Sequence, residues 1–469
     1  MAIQPSLSTG LPAGINSLIQ EGLLERAFHD GLYPTILYRN EANWQRFEGN
    51  LGTEILFTRP GLLKPTTTPN SAGADPTPMA NTFEQWFGRI DQYSGSIDTL
   101  MTSSAVAMSD LFMRNVHQLG LHAAQSINRV ARNNMFKAYL GGSTNLIAAT
   151  ANLDTLIHVA ALNGFTTVVG QVASQVRPVP VSSSNPLPIT IRAAGGDQVR
   201  NVIGFTPDDP ADPFGPGFLL LSAGVSGVIA TRTPVLAKDR GVIIRAGGGD
   251  SVDALSSADT MTLQDIINAA GQLRQRSVPP HEDGLYHAHV SPIVNTQLFA
   301  DPVWQRLHQS LPKDDVYQTG FIGVMSGVGF YLNNESPDST NSGTLVNTGT
   351  PETYAGDIGA EVVNHGGIQV GRVIVTGKGV MYELGLDESA YVTEAGVTGK
   401  IGEFDIVNAG AAVSTERIRL VIRAPLDRMQ QLVAATWSIT AGWALPTDIT
   451  GPGGTERYKR AVVIESAAG

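Results

Sequence analysis

Between Ala105 and Leu140 apolar residues recur at Phe112, Val116, Leu119, Ala123, Ile127 and Val130, the three-to-four spacing of one helical face. Arg114, Gln118, Gln125, Asn128, Arg132 and Asn133 fall on the other side, toward solvent or a neighbour. Gly141 and Gly142 follow directly and can take the left-handed conformation that commonly stops a helix. Roughly 35 residues at about 1.5 Å each make a rod of about 50 Å, well beyond the mean globular helix. No second segment of this length follows, so the rod is expected to carry other elements rather than to join a helical bundle.

With 469 residues the chain can build two or three domains with cores of their own. It has no cysteine, which excludes disulfides, thiolate zinc sites and cysteine nucleophiles and suits a reducing cytoplasm. A net charge of -11 and a pI near 5.3 mean that the surface as a whole repels nucleic acid and anionic membranes. The densest basic run, Arg457-Tyr458-Lys459-Arg460, reads as a solvated tail. Near the start, Ile15, Leu18, Ile19, Leu23 and Leu24 are broken by Glu21, Glu25 and Arg26, an amphipathic arm rather than a secretory leader. Residues 218–230 are apolar but too short and too interrupted by Gly and Ser to span a bilayer. The 51 glycines and 27 prolines, with only 16% charged residues, favour many short strands and turns with large buried or partner-facing surfaces.

Along the chain, residues 1–45 form an N-terminal arm that cannot bury much surface alone. Residues 46–103 form an extended loop. It has an outgoing strand at Thr53–Thr58, a tip from Lys64 to Pro78 rich in Pro, Thr and Asn, and a return arm from Phe83 to Leu100 that carries Trp86, Phe87 and Tyr93. A two-stranded excursion of this length is marginal by itself and needs a neighbouring surface. Residues 104–159 hold the long helix and the start of a further domain, and 160–258 read as an inserted β-rich domain with strands at Thr166–Val169 and Leu187–Ile191. Within it Ile191-Arg192-Ala193-Ala194-Gly195-Gly196-Asp197 is echoed by Ile244-Arg245-Ala246-Gly247-Gly248-Gly249-Asp250, expected as equivalent strand ends of one small barrel or sandwich. Residues 259–285 open on a helix with Thr262 as N-cap and Asp265 three positions on. Strands are expected at Leu285–Val290, Gly327–Leu332, Gly371–Thr376, Val380–Leu384, Arg417–Arg423 and Leu432–Trp443, with a helix candidate through Trp304, over segments 286–390 and 391–469. The fold class is α+β, with β structure concentrated late.

Tests for chemistry mostly fail. His287 and His289 alternate on a strand with His281 close in sequence, but no third ligand stands at a recognised metal spacing, so hydrogen-bonded structural histidines with Glu282 and Asp283 as partners are expected. Gly224-Val225-Ser226-Gly227-Val228 lacks the fifth-position glycine of a nucleophile elbow. Residues 371–378 miss the spacing and the Ser or Thr of a phosphate loop. Asp208, Asp209 and Asp212 depart from calcium-loop spacing and read as a proline-stiffened acidic turn. No catalytic, cofactor or metal residue is assigned.

The order of arm, extended loop, long helix, β-rich domain, axial segment and return strand resembles the major capsid proteins of tailed bacteriophages, the Hong Kong-97 phage capsid fold. Several segments also look like members of that family: Phe136-Lys137-Ala138-Tyr139-Leu140-Gly141-Gly142, Thr262-Leu263-Gln264-Asp265-Ile266 ahead of Val278-Pro279-Pro280, and residues 283–292 leading to Gln297-Leu298-Phe299-Ala300-Asp301. The resemblance covers nearly the whole chain. It implies a spine helix with peripheral and axial domains, and self-association into hexamers and pentamers of an icosahedral head. It also implies an extended loop lying over a neighbouring subunit, with Arg59, Lys64, Trp86 and Phe87 as candidate intersubunit contacts. Portal protein, and scaffolding or cement proteins if used, would be partners. Packaged double-stranded DNA would be touched weakly and nonspecifically, and no membrane is implied. Such a protein would assemble in the host bacterial cytoplasm and reside in the virion capsid. Some members crosslink an extended-loop lysine to an asparagine, and Lys64 is the only lysine among the first hundred residues. The insertion at 160–258 departs from the minimal family pattern.

Two alternatives stand beside this reading. An encapsulin-like compartment would share the fold but enclose cargo, which nucleic acid inside purified particles would distinguish. A metal-dependent hydrolase using His281, His287 and His289 would bind stoichiometric metal and lose it on His287→Ala.

Overall fold

The computed structural model describes residues 37–47, 54–60, 66–69, 73, 75, 78, 83–172, 175–210, 212–304, 321–333, 335–336, 344–347, 350–353, 367–386, 400–405, 417–423, 432–446 and 460–468. Its longest element is helix α1, Met101–Leu140, a 40-residue rod of about 60 Å at 1.5 Å per residue. It starts four residues earlier than the sequence periodicity marks and stops where expected, with Gly142 at φ 83°. Phe112, Val116, Leu119, Ala123 and Ile127 are all buried, so the apolar spacing does select the packed face. The polar side differs from expectation. Asn128 and Arg132 are also fully buried, because the backbone N–H of Tyr38 donates to Asn128 Oδ1 at 2.9 Å and brings the chain ahead of the first strand onto that side of the helix.

The chain divides into two compact units. One comprises Met1–Ile55, Phe87–Arg132 and Met381–Ala444, and the other Leu56–Trp86, Asn133–Val380 and Leu445–Gly469. The first unit is built on a six-stranded sheet of β1 (Ala42–Phe47), β4 (Asp91–Leu100), β20 (Met381–Leu386), β21 (Lys400–Asp405), β22 (Arg417–Arg423) and β23 (Leu432–Ala444). The order is β1-β20-β23-β22-β21, and β4 lies antiparallel along β23 for ten residue pairs. Strand β23 alternates buried and partly exposed positions from Val433 to Ala441, the period-2 signature of a half-covered sheet, and is buried throughout from there to Ala444. Three sequence-distant segments meet on it, which is possible because neighbouring strands need no sequence proximity, only a matching hydrogen-bonding edge.

In the second unit, one six-stranded sheet has the order β5 (Ser143–Asn145), β12 (Pro234–Ala237), β9 (Leu187–Ala193), β10 (Gly196–Pro207), β11 (Gly217–Leu221), β6 (Leu156–Val159). Its inner face holds Leu187, Ile189, Ile191, Val202, Leu219 and Ile157 at alternating positions. This sheet begins at Ser143, earlier than the expected insertion, and ends at Ala237. A second sheet runs β13 (Val242–Arg245), β24 (Ala461–Ala467), β19 (Val370–Thr376), β14 (Tyr286–Val290), β16 (Val328–Leu332), β15 (Phe321–Met325). Every residue of β19 and β24 is buried, as in a strand covered on both faces. Helix α2 (Leu263–Gln275) contributes Leu263, Ile266 and Leu273 to the core shared with Val462, Ile464, Val373 and Val375. Its start follows the sequence signal, with Asp265 Oδ2 accepting the Thr262 backbone N–H at 3.1 Å. Helix α3 (Pro292–Ala300) is capped by Ser291, whose Oγ accepts from Val294 N. Fully buried Trp304 stands edge-on to Phe330 at 4.8 Å. The remaining sheets are β2 (Glu54–Pro60), β3 (Phe83–Arg89), β8 (Gln175–Pro180), β7 (Thr167–Val172) in that order, and the hairpin β17 (Thr344–Asn347), β18 (Thr350–Thr353).

The glycine-turn repeat is a correction. Ile191 and Arg192 belong to β9 of the first of the second unit's sheets, whereas Ile244 and Arg245 belong to β13, which runs parallel to β24 in the second of them. The shared wording encodes a strand running into a glycine turn and carries no information on which sheet the strand joins. Arg192 of the first copy nevertheless reaches Asp250 of the second at 3.2 Å.

Candidate functional site

The extended-loop residues separate by strand alternation. On β2 and β3, Phe57 and Trp86 stack at 5.5 Å with planes 4° apart, and the Arg59 guanidinium carbon lies 5.5 Å from the Trp86 ring centroid. Gln85 Nε2 donates to Thr58 Oγ1 at 3.2 Å, closing the same small cluster. Trp86 is therefore buried within its own chain, with Arg59 drawn over it, while Phe87, the next residue, is 47% exposed. Leu56 beside Phe57 is exposed in the same alternating way. Lys64, the fourth candidate for an intersubunit role and the candidate for crosslinking, lies outside the described residues, as do most of the tip and residues 1–36.

The strand that returns from the loop is held firmly along one edge. Trp437 on β23 faces Gly95 on β4 in register and donates its indole N–H to His122 Nδ1 of α1 at 3.1 Å. Asn115 of α1 donates to Thr99 Oγ1 on β4 at 2.9 Å. Among the described strands, β4 pairs only with β23, so its other backbone edge carries no described strand, and Gln92, Ser94, Ser96, Asp98 and Leu100 are exposed.

One buried ion pair and one buried ion triad were not visible in the sequence. In the first unit, β1 runs parallel to β20, and just before it Arg39 Nε donates to Glu383 Oε1 at 2.5 Å, both side chains being essentially solvent-free. Glu383 lies in register between Trp44 on β1 and Trp443 on β23. Burial raises its carboxyl above the ordinary glutamate range, and the Arg39 charge offsets this only in part. In the second unit Arg245 on β13, Glu465 on β24 and Arg372 on β19 are register partners in one row across three strands. The Arg245 and Arg372 Nε atoms donate to the two oxygens of Glu465 at 2.9 and 3.0 Å. Burial opposes the Glu465 charge, but the two guanidiniums together outweigh it and hold the carboxyl below its ordinary range.

The histidines form a stacked group. His281 lies on His287 at 4.0 Å with rings 10° apart, and its Nε2 is 3.1 Å from Thr376 Oγ1. His287 Nε2 is 2.8 Å from Asp283 Oδ2, and His287 meets Tyr331 edge-on at 4.8 Å. Burial opposes the Asp283 charge, yet the Leu285 N–H and the His287 ring hold that carboxyl below its ordinary range. His289, on the same strand, is buried and lies 5.9 Å from Tyr331. Glu282, the other expected partner, pairs instead with Lys378 at 3.3 Å. Of the remaining motifs, Ser226 is engaged by Gln198 and Arg200, Asp208 bonds His158 at 2.7 Å, and Asp212 accepts the Gly215 N–H at 3.1 Å. Residues 371–376 form the interior of buried β19. No described helix is long and apolar enough to cross a membrane.

No family model matches the chain, and no curated protein matches it. Among solved structures it is similar to the capsid of Cyanophage P-SCSP1u, with 11% identity over 92% of this chain and 88% of that one at a TM-score of 0.46. It is similar to the capsid of Ralstonia phage GP4, with 12% identity over 93% and 92% and a TM-score of 0.46. It is also similar to a chain of the Cyanophage Pam1 capsid asymmetric unit, with 10% identity over 100% and 96% and a TM-score of 0.46.

Proposed function

We propose that this chain is the major capsid protein of a tailed double-stranded DNA phage, a structural subunit that assembles into hexamers and pentamers of an icosahedral head. The observation that carries the reading is the path into α1. Strand β4 offers a ten-residue strand with one edge open to no described strand, and β2 and β3 leave Leu56 and Phe87 exposed beside the Phe57–Trp86 stack. Open edges and exposed large apolar side chains are costly in an isolated soluble chain and ordinary where another copy covers them. The absence of cysteine and the low charge content suit a subunit stabilised by extensive burial between copies. In this reading Phe87 contacts a neighbouring subunit directly, whereas Arg59 and Trp86 shape the strand pair that presents it. Portal protein, and cement or scaffolding proteins where used, are the further partners, and contact with packaged DNA is weak because the chain is acidic.

Deleting residues 62–80 tests the extended loop. The shortened chain is expected to stay soluble with an unchanged far-UV circular dichroism spectrum, while particle yield falls about tenfold or more, since every subunit of the shell is weakened at the same interface. Electron microscopy counts of particles per mass of protein read the result. An unchanged yield would remove the loop from the assembly mechanism. Nucleic acid recovered from nuclease-treated particles supports a phage head, and particles holding only protein cargo would point to a compartment instead.

A further inference from the structure

Among the stretches of this acidic chain that contain no Asp, Glu, Lys or Arg are residues 138–153 and residues 213–231. They lie far apart in sequence, and the fold joins them. Thr150 and Ile229 exchange backbone hydrogen bonds, the Leu153 N–H donates to Val225 O at 2.9 Å, and Leu156 faces Leu220 across the β6–β11 pair. The joined segments expose Leu153 at 72% and Val228 at 76%, with Ile147 and Leu220 also exposed and Leu156, just beyond Asp154, exposed beside Leu220. Three adjoining charges have partners of their own, and the first, Arg232, lies 3.4 Å from Asp253. Asp154 accepts the Ala151 N–H at 2.6 Å, and Arg200 is spent on Gly224 O at 2.9 Å and on Ser226 Oγ at 2.9 Å.

The backbone here is also strained in a way the chain does not itself repay. Leu153 has φ 70°, in the left-handed region that a leucine rarely adopts. Across the pair the backbone approaches closely: a Cβ on Gly224 would lie 2.4 Å from Leu153 O, so only glycine fits at position 224. Such strain ordinarily persists where surrounding packing requires it, yet the leucine side chain it presents is the second most exposed large apolar residue described. Burial against something outside this chain would supply the missing return.

We propose that this uncharged face, centred on Leu153 and Val228, is a contact surface for a second copy of the same chain. The inference rests on the shell reading above and adds to it a residue-level contact in the inserted sheet. Charge selects the occupant. Copies that each carry a net charge of -11 repel one another, and a face without formal charges is where they approach at least cost. A partner of unlike charge would instead be met by complementary side chains, which these two stretches lack.

The chain's lack of cysteine gives a direct test, because Val228→Cys introduces a unique thiol and Ser183→Cys supplies a control on an exposed turn of the same domain. Each purified variant is treated with a maleimide probe as dispersed subunits and as assembled particles. Val228→Cys is expected to react about tenfold or more slowly once assembled, as water-excluded interface positions do, with Ser183→Cys slowed much less. Equal reactivity of Val228→Cys in both states, or equal slowing at both positions, would overturn the proposal. Protection that appears only after a cell or virion extract is added would overturn the second-copy assignment. If no particle forms, the shell reading fails on its own. The interface is then judged by dilution of the dispersed protein: protection that fades on dilution supports it, and constant reactivity overturns it.

Discussion

Replacing Glu465 by alanine is expected to lower the unfolding free energy by about 3–5 kcal/mol at neutral pH, the range for breaking a buried ion pair from one side. The substitution leaves Arg245 and Arg372 facing each other across the middle strand of three, without the carboxylate that both now share. The row is buried, so water cannot take over that role. Glu465 is held below its ordinary value of 4.5, because the two guanidiniums overcome the cost of burial. A depressed carboxylate contributes stability that is complete above the unfolded-state value and is lost as pH falls through the lower folded-state value. The intact protein therefore loses this contribution on acidification below about 4.5, while Glu465→Ala has none to lose and shows a flatter acid limb. Urea midpoints measured across that range check both parts. A variant whose midpoint falls in parallel with the parent would show that the carboxylate is not the linked group.

Replacing Arg39 by alanine has a comparable expected cost, about 3–5 kcal/mol near neutral pH, but the opposite pH dependence. Glu383 is buried and its carboxyl is raised, with Arg39 supplying only part of what desolvation takes away. A raised carboxyl contributes most below the unfolded-state value and less as pH rises through the folded-state value. Without Arg39 the lone carboxylate is relieved by taking up a proton. The deficit of Arg39→Ala relative to the parent should therefore be larger near about pH 8 than near about pH 5. Urea midpoints of the two proteins at both pH values measure it. A deficit that grows on acidification would contradict the assignment. Because Arg39 stands immediately ahead of β1, the same variant is expected to loosen the β1–β20 pairing, which hydrogen exchange at Ala42–Arg46 would report.

The contrast between local and long-range signals explains what could be read before the structure. Helix α1 was legible because its packing signal is local: six apolar residues at helical spacing, five of them buried and Val130 partly so, and two glycines define it without reference to anything else. Strands such as Leu432–Ala444 and Arg417–Arg423 were legible for the same reason, since alternation and β-branched content are written in consecutive residues. The α2 start was legible from Thr262 and Asp265 alone. Arg39–Glu383 and Arg245–Glu465–Arg372 were not, because they depend on register between segments 93 to 344 residues apart. Asn128 and Arg132 were placed on a face turned toward solvent or a neighbour, because helical periodicity does not reveal which; a segment ninety residues upstream in the chain covers it.

Candidate contacts in the extended loop show the same limit at the scale of one strand. Trp86 and Phe87 are adjacent aromatic residues and look equivalent in sequence, yet alternation sends one into the stack with Phe57 and the other outward. The uncharged stretches at 138–153 and 213–231 were individually visible, and the nucleophile-elbow test drew attention to residues 224–228 for another reason. Only the pairing of Thr150 with Ile229 and Leu156 with Leu220 makes them one face.

In the function proposed above, this chain completes its burial against copies of itself. Electron microscopy of the purified chain, paired with sedimentation velocity over a concentration series, tests it most directly. Closed particles of uniform diameter in equilibrium with few free subunits are the expected result. A single compact monomer that persists at the highest concentrations, with residues 37–100 protected from proteolysis by the rest of its own chain, would contradict it.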